Sequence, residues 1–393
     1  MTRSRTRFGL SAVATIGLLL AACSSPGSAS PTGSTRSSGG APGSMDLAEV
    51  PPAPGYDQPI TASGATFPQP VYEQWTQDYA NETGIQISYT GGGSGQGIAD
   101  ITDNVVAFAG SDAPMKDEER QAAADAQGTE IIHIPTVFGA VVMAYNLPGI
   151  DTVNFSPDVI GKIFTGEITN WSDPALAADN DGVTLPDQAI TVVHRNDGSG
   201  TTSSFTTWLC SVSDAWKTKL GEDKCQGKEI EWPVGLGGQG NPGVASTITT
   251  TPGAVGYVEL AYAVQNGISY GNVENAAGNF IEPTLESVAA AANFDTIPDD
   301  LTFNASGSDV ADAYPITSAT WILVYAEQDK VAQDEGQAQA VVHFLIWALD
   351  RGGDAAESLD YAVLPDKLRE AALAKIATIT WDGTPVVDSL YGR

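Results

Sequence analysis

Hydrophobic and polar positions along this chain follow two regimes. Short apolar runs at residues 60–63, 85–89, 106–109, 189–193 and 254–258 have the length and composition of strands. Longer runs at 136–145 and 315–325 read as strands that cross the body of the molecule. Between these runs the spacing becomes helical. Val71, Tyr72, Trp75 and Tyr79 share one face of a helix over 70–79. Ile98, Ile101 and Val105 predict a second helix, residues 159–164 a third, and residues 341–349 a strongly amphipathic one. Trp171 with Pro174 marks a turn, and residues 235–243 form a Gly-rich turn ahead of 244–248. Strand, turn and helix recur in that order, which indicates an α/β protein built on an open parallel sheet. The two long runs predict two crossings between two lobes, a hinge able to close over a ligand.

The turns carry the chemistry. Thr66 and Phe67 lie in Gly-Ala-Thr-Phe-Pro at 64–68, a strand-to-helix turn. Ser94 lies in a second Gly-rich turn at 90–97, and Asp112 in Gly-Ser-Asp-Ala-Pro at 110–114. In an open parallel sheet ligands bind at the carboxyl ends of strands. Taken singly, each turn is a helix cap; their recurrence along one sheet edge favours a site. The central stretch is Arg-Asn-Asp-Gly-Ser-Gly-Thr-Thr at 195–202, between an apolar run and a helix start. Such a junction aims several backbone N–H groups and the positive end of a helix dipole at one point. Ser199, Thr201 and Thr202 add hydroxyls, and Arg195 adds a fork of donors matched to a tetrahedral oxyanion. The competing reading is an ordinary Gly-Ser turn capping a helix. No Gly-Lys-Ser/Thr follows, so this is not a P-loop.

Composition narrows the setting. Three arginines in the first seven residues precede an apolar run at 8–22 that ends Leu-Ala-Ala before Cys23. A basic head, a short apolar core and small residues describe a secretory signal at 1–22. The ending resembles a bacterial lipobox, which implies cleavage before Cys23 and acylation of its sulfur, palmitate included; a plain secretory signal is the alternative. Residues 23–55 are rich in Ser, Gly and Pro and read as a flexible tether. The net charge is −30, from 18 basic and 48 acidic residues, so nucleic acid is excluded as a partner. An anion must then be held by local dipoles. Arg195 is the only arginine between Arg120 and Arg351. With Cys23 given to lipid, Cys210 and Cys225 remain as a pair in an exported protein and read as a disulfide, with two reduced thiols as the alternative. The three histidines, His133, His194 and His343, are widely spaced and offer no metal-ligand pattern.

Six segments in order resemble the phosphate-binding proteins of bacterial ABC phosphate importers, the PstS type. They are 64–68, 110–114 and 195–202, Ile-Phe-Thr-Gly-Glu-Ile-Thr-Asn-Trp at 163–171, Pro-Gly-Ala-Val-Gly-Tyr-Val-Glu at 252–259, and 314–317. The likeness runs from about residue 60 to 364. It implies a two-lobed periplasmic-binding-protein fold of type II, with lobe I at 56–136 and 315–393, lobe II at 137–314, and the ligand in the cleft. It also implies the contacts. Thr66 donates its hydroxyl, Phe67 its backbone N–H, and Ser94 its side chain. Arg195 grips phosphate oxygens while Asp197 holds the guanidinium, and Ser199, Gly200 and Thr201 donate from their turn. Asp112 is the one acceptor. The expected function is high-affinity phosphate binding outside the cytoplasmic membrane and delivery to permease subunits, by a lipid-anchored monomer that needs no cofactor.

Asp112 would discriminate among anions. A carboxylate repels an oxyanion unless that ion brings a proton to share. Phosphate carries one in both its mono- and dianion; sulfate at neutral pH carries none. Sites built to bond a ligand's hydroxyl reject analogues lacking it by roughly 10⁴-fold or more. A hydrolase using Ser199 is the rival class. Asp-Gly-Ser-Gly-Thr lacks the Gly-x-Ser-x-Gly elbow, and His194, adjacent to Arg195, should point away from Ser199.

Overall fold

A computed structural model describes residues 49–392 except 293 and 295. The signal at 1–22 and Cys23 therefore lie outside the described residues. The first part of the chain alternates as expected: β1 (Ile60–Gly64), α1 (Gln69–Thr83), β2 (Ile87–Gly91), α2 (Ser94–Thr102), β3 (Phe108–Ser111) and α3 (Asp117–Gln127). The long strand β4 (Ile131–Tyr145) follows, then β5 (Asn154–Phe155), α4 (Pro157–Thr165) and α5 (Pro174–Asp179). Next come β6 (Thr191–Arg195), α6 (Gly200–Val212), α7 (Asp214–Leu220), β7 (Leu236–Gly238), α8 (Gly240–Thr250), β8 (Ala254–Glu259) and α9 (Leu260–Gln265). Short strands β9 (Ser269–Tyr270), β10 (Asn272–Glu274) and β11 (Phe280–Ile281) and helix α10 (Leu285–Ala291) lead to β12 (Thr317–Tyr325) and α11 (Glu335–Arg351). Strand β13 (Ala362–Val363) and further short elements close the chain.

The main sheet runs β2-β1-β3-β12-β4-β8-β6-β7, with β13 and β9 also paired to β4. It is mixed, not parallel throughout. The triplets β1–β3 and β6–β8 are each parallel, whereas β12 and β4 run antiparallel to each other and to their neighbours. Each crossing strand runs with the set it leaves and against the set it enters, and the apolar pattern does not record direction. The register fixes where the sheet changes partner. Ile131–Ala140 of β4 pair with β12, and Val141–Tyr145 pair with β8. The triplet β1–β3 runs towards this switch from one side and β6–β8 runs towards it from the other. Both sets of carboxyl ends therefore converge where Thr317 pairs with Ala140 and Glu259 with Val141. This two-lobed α/β arrangement, with the cleft at the switch, is the expected fold class.

Several elements differ from the sequence reading. Strands β2, β3 and β6 begin and end about two residues later than their apolar runs, because the ladders Gly64↔Gly91, Gly64↔Gly110 and Arg195↔Gly238 continue through small or charged residues. The expected turn at 235–243 contains strand β7 and the start of α8. Val105 is 62% exposed and lies past the end of α2, after Asn104 turns the backbone to φ 53°. Helix α11 is not amphipathic over 341–349. Ala340 to Ala348 are all buried, with Phe344 and Trp347 packed edge-on to Tyr79 and Phe344 stacked on Phe108. A helix covered on all sides needs no polar stripe. The end of the expected tether lies against this helix, where the Pro51 carbonyl is bonded to His343 Nε2 at 2.9 Å. Cys210, near the end of α6, and Cys225 form a disulfide with Cα atoms 5.5 Å apart.

Candidate functional site

The residues expected to contact the ligand lie at or just past the carboxyl ends of strands or at the starts of helices, on the two sides of the switch. Thr66 and Phe67 follow β1, Ser94 opens α2 after β2, and Asp112 follows β3. Arg195 ends β6, and Gly200 and Thr201 open α6, which Ser199 caps. All are buried. Burial of so many polar groups is tolerable only if they bond one another or a ligand.

The two sides meet through their polar groups. Ser94 Oγ accepts the N–H groups of Asp112 at 3.1 Å and of Gly200 at 3.0 Å, and donates to Asp112 Oδ2 at 3.3 Å. Gly95 N–H donates to the Gly198 carbonyl at 2.8 Å. These bonds join the turn after β2 to the turn after β6. Gly200 has to be glycine here. A Cβ on it would stand 2.5 Å from Asp112 Cβ and 2.6 Å from Ser94 Oγ. Gly93, with φ of 97°, faces Asp197 Oδ2 at a hypothetical Cβ distance of 2.4 Å.

Arg195 is held rigidly. Its Nε donates to Asp197 Oδ1 at 2.8 Å and its Nη2 to Asp197 Oδ2, while Nη1 faces Thr201 Oγ1 at 3.4 Å. Asp197 Oδ1 also accepts the Gly240 N–H at 3.0 Å. This two-pronged pair orients the guanidinium and balances its charge. Breaking a pair this buried would leave an uncompensated charge. The Arg195 backbone N–H donates to Tyr257 OH at 3.1 Å, and that hydroxyl pairs with Thr202 Oγ1 at 2.6 Å.

Asp112 is the electrostatic oddity. Its Oδ1 accepts from Thr320 Oγ1 at 2.8 Å. Burial pushes its carboxyl up from 3.8 to about 7, against the opposing pulls of the Thr320 hydroxyl, the Arg195 charge and the Ser94 hydroxyl. The group is therefore poised between acceptor and donor near neutrality.

Ser199 Oγ caps α6, accepting the Thr202 N–H at 3.0 Å, which leaves its own proton able to donate. Gly200 and Thr201 behind it carry first-turn N–H groups. The Phe67 ring packs edge-on to Tyr361 in the core, and its carbonyl accepts from Tyr361 OH at 2.6 Å. Among the described residues the Phe67 N–H meets no acceptor. His194 stacks on Trp232 at 4.8 Å and its Nδ1 faces the Arg195 carbonyl, so it does not touch Ser199.

Four supporting residues escaped the sequence reading: Asn241, Thr320, Tyr262 and Tyr361. Asn241 sits within the Gly-rich stretch at 235–243, which gave a signal for a turn but none for a polar bridge. Tyr262 OH donates to the Thr66 carbonyl at 2.6 Å. Tyr361 OH also meets Glu259 Oε2 at 2.9 Å, a fully buried carboxyl raised well above its ordinary range by burial. Thr320 and the tyrosines look like ordinary strand and core positions in one dimension. Among the described residues no group of three or more His, Cys, Asp or Glu could hold a metal ion.

A family model described as a PBP superfamily domain matches residues 28–348. A phosphate-binding protein PstS of Pasteurella multocida is 39% identical over 327 residues, spanning 82% of this chain and 90% of its own. Phosphate-binding protein PstS3 of Mycobacterium bovis is 30% identical over 374 residues, spanning 92% and 96%. Among solved structures, a high affinity periplasmic phosphate-binding protein with phosphate bound matches with a TM-score of 0.66 at 21% identity, over 85% of this chain and 98% of that one. A phosphate-binding protein from Stenotrophomonas maltophilia matches with a TM-score of 0.61 at 19% identity, over 81% and 93%. At these identities the structural matches speak to fold alone.

Proposed function

Given that this chain belongs to the PstS-type phosphate-binding proteins of the PBP superfamily, we propose that it captures inorganic phosphate outside the cytoplasmic membrane and delivers it to the permease subunits of an ABC importer. In this reading 1–22 is a lipoprotein signal, Cys23 carries the acyl anchor on the outer face of that membrane, and 23–55 is the tether. Lobe I is 56–136 with 315–393, lobe II is 137–314, and the protein acts as a monomer. The ligand contacts are the hydroxyl of Thr66, the N–H of Phe67, Ser94, Asp112, Arg195 held by Asp197, Ser199, Gly200 and Thr201.

One observation carries the proposal: a buried carboxylate that no cation among the described residues pairs directly, Asp112, stands among converging donors from both sides of the cleft. Donors alone would take any oxyanion. Adding an acceptor restricts the ligand to one that brings its own proton. Phosphate at neutral pH does so and sulfate does not. Above about pH 7, where Asp112 is ionised, a site that also bonds the ligand hydroxyl leaves its carboxylate unpaired with sulfate, at a cost of roughly 10⁴-fold or more in affinity. No bond-breaking step is assigned, since Ser199 is engaged as a cap and no histidine bonds it.

Calorimetric titration tests this. Dialysed wild-type protein should bind phosphate tightly, arsenate less tightly but well, and sulfate weakly. Asp112→Asn, which can donate to an unprotonated oxygen, should narrow the phosphate-over-sulfate ratio. Comparable affinities for the two anions in the wild type, or a ratio unchanged in the variant, would remove Asp112 as the discriminator.

A further inference from the structure

Asn241 is completely buried in the first turn of α8, and both of its side-chain N–H donors and its amide oxygen are engaged. Its Oδ1 accepts the backbone N–H of Glu259 at 3.1 Å. A backbone N–H can only donate, so the amide cannot be flipped and its Nδ2 must face the other way. There Nδ2 donates to Thr66 Oγ1 at 3.2 Å and to Thr201 Oγ1 at 3.2 Å. The Asn241 backbone N–H also donates to Thr66 Oγ1, at 3.0 Å. Thr66 follows β1 and Thr201 opens α6, so one side chain touches both sides of the cleft.

The consequence lies in the hydroxyl protons. A hydroxyl oxygen has two lone pairs and one hydrogen. Both lone pairs of Thr66 Oγ1 are taken by Asn241. Those of Thr201 Oγ1 are met by Asn241 Nδ2 and Arg195 Nη1. Each hydroxyl is left with nothing to do but donate. Ser94 Oγ likewise accepts two N–H groups, of Asp112 and Gly200, and gives its proton to Asp112 Oδ2 at 3.3 Å.

We propose that Asn241 is a positioning residue that fixes the Thr66 and Thr201 hydroxyls as donors towards the anion, and that Glu259 N–H sets its orientation. The assignment rests on the phosphate-binding reading and deepens it. Asn241 itself need not touch the ligand. It removes the acceptor option that a free hydroxyl keeps, so the site presents oxygen atoms that cannot repel an oxyanion by lone pairs.

A double-mutant cycle on the full-length protein tests the assignment, with inorganic phosphate as probe and calorimetry as readout. Asn241→Ala should weaken phosphate binding about tenfold in the wild-type background. In a Thr66→Val background the same substitution should cost at least about threefold less, because one of its two clients is gone. Equal cost in both backgrounds overturns the assignment, and so does a coupling of the same size in the ligand-free unfolding stability of the four proteins, which marks a merely structural contact. So does an Asn241→Ala variant that binds within threefold of wild type. If the alanine variant fails to fold, Asn241→Asp, which keeps the shape and replaces the donor by an acceptor, is read by the same criteria and should lose more. A wild-type protein that takes up no phosphate would instead bring down the functional reading itself, an outcome separate from a failed cycle.

Discussion

Asp112 shows how a single buried group links recognition to stability. Its carboxyl titrates near 7 in the folded protein and near 3.8 when unfolded. The native state therefore holds a proton that the unfolded chain releases between those values. Stability from this group is fully present below about pH 4 and is lost as pH rises through 7. Asp112→Asn carries no such titration. The variant should thus gain stability over wild type as pH goes from 5 to 8, by at most about 2.6 kcal/mol. Denaturant unfolding of phosphate-free protein at the two pH values measures this. His133, a buried acceptor of the Met115 N–H at 3.0 Å, moves the other way. Burial lowers it to about 4, so its share of stability fades on acidification below its ordinary range. It is common to both proteins and cancels in the difference. Parallel pH profiles for wild type and Asp112→Asn would mean that the carboxyl is ordinary.

At the scale of elements, the site is built from strand ends and first helical turns, and glycine decides how closely these approach. Gly200 opens α6 directly against Asp112 and Ser94. In a ligand-free protein whose two sides have parted, a Cβ here meets neither neighbour, and alanine suits the start of a helix, so Gly200→Ala should then leave the ligand-free melting temperature within a few degrees of wild type. Its Cβ would nevertheless hold the two sides apart, and phosphate affinity should fall by about 100-fold or more, since contacts from both sides must form together. Calorimetry beside thermal melting separates the two effects; unchanged affinity would show that the sides need not touch. These elements were legible to different degrees. Apolar runs revealed β1, β4, β8 and β12 because nearly all of their side chains, on both faces, are buried. They missed the glycine-bearing ends of β2 and β3 and all of β7, where the backbone ladder continues without a side-chain pattern. Arg195 and Asp112 announced themselves by charge in unusual company. Asn241, Thr320 and Tyr361 did not, because their value comes from partners 40 to 294 residues away along the chain.

At the scale of the whole molecule, charge and site oppose each other. The chain carries a net −30, yet the groups gathered at the sheet switch are donors. Binding free energy and encounter rate are set by different distances. Within the closed cleft the ligand meets hydrogen-bond donors at contact range, shielded from bulk salt by burial. Before entry a dianion feels the whole negative surface, over roughly 30 Å at 0.01 M salt but only about 8 Å at 0.15 M. Added chloride should therefore speed association, severalfold between those two concentrations, which is the reverse of the usual steered case. Dissociation requires the two sides to part, which breaks the Ser94–Gly200 and Asn241–Thr66 bonds and the ion pair of Lys228 with Glu119, 13% and 27% exposed in their side chains. Only that last contact is open to screening, and exposed pairs contribute about 0–1 kcal/mol, so the off-rate should change little. Stopped-flow binding with chloride as the only varied ion gives both rates. An association rate that falls with salt would show that the dipoles gathered at the cleft outweigh the negative field of the rest of the surface.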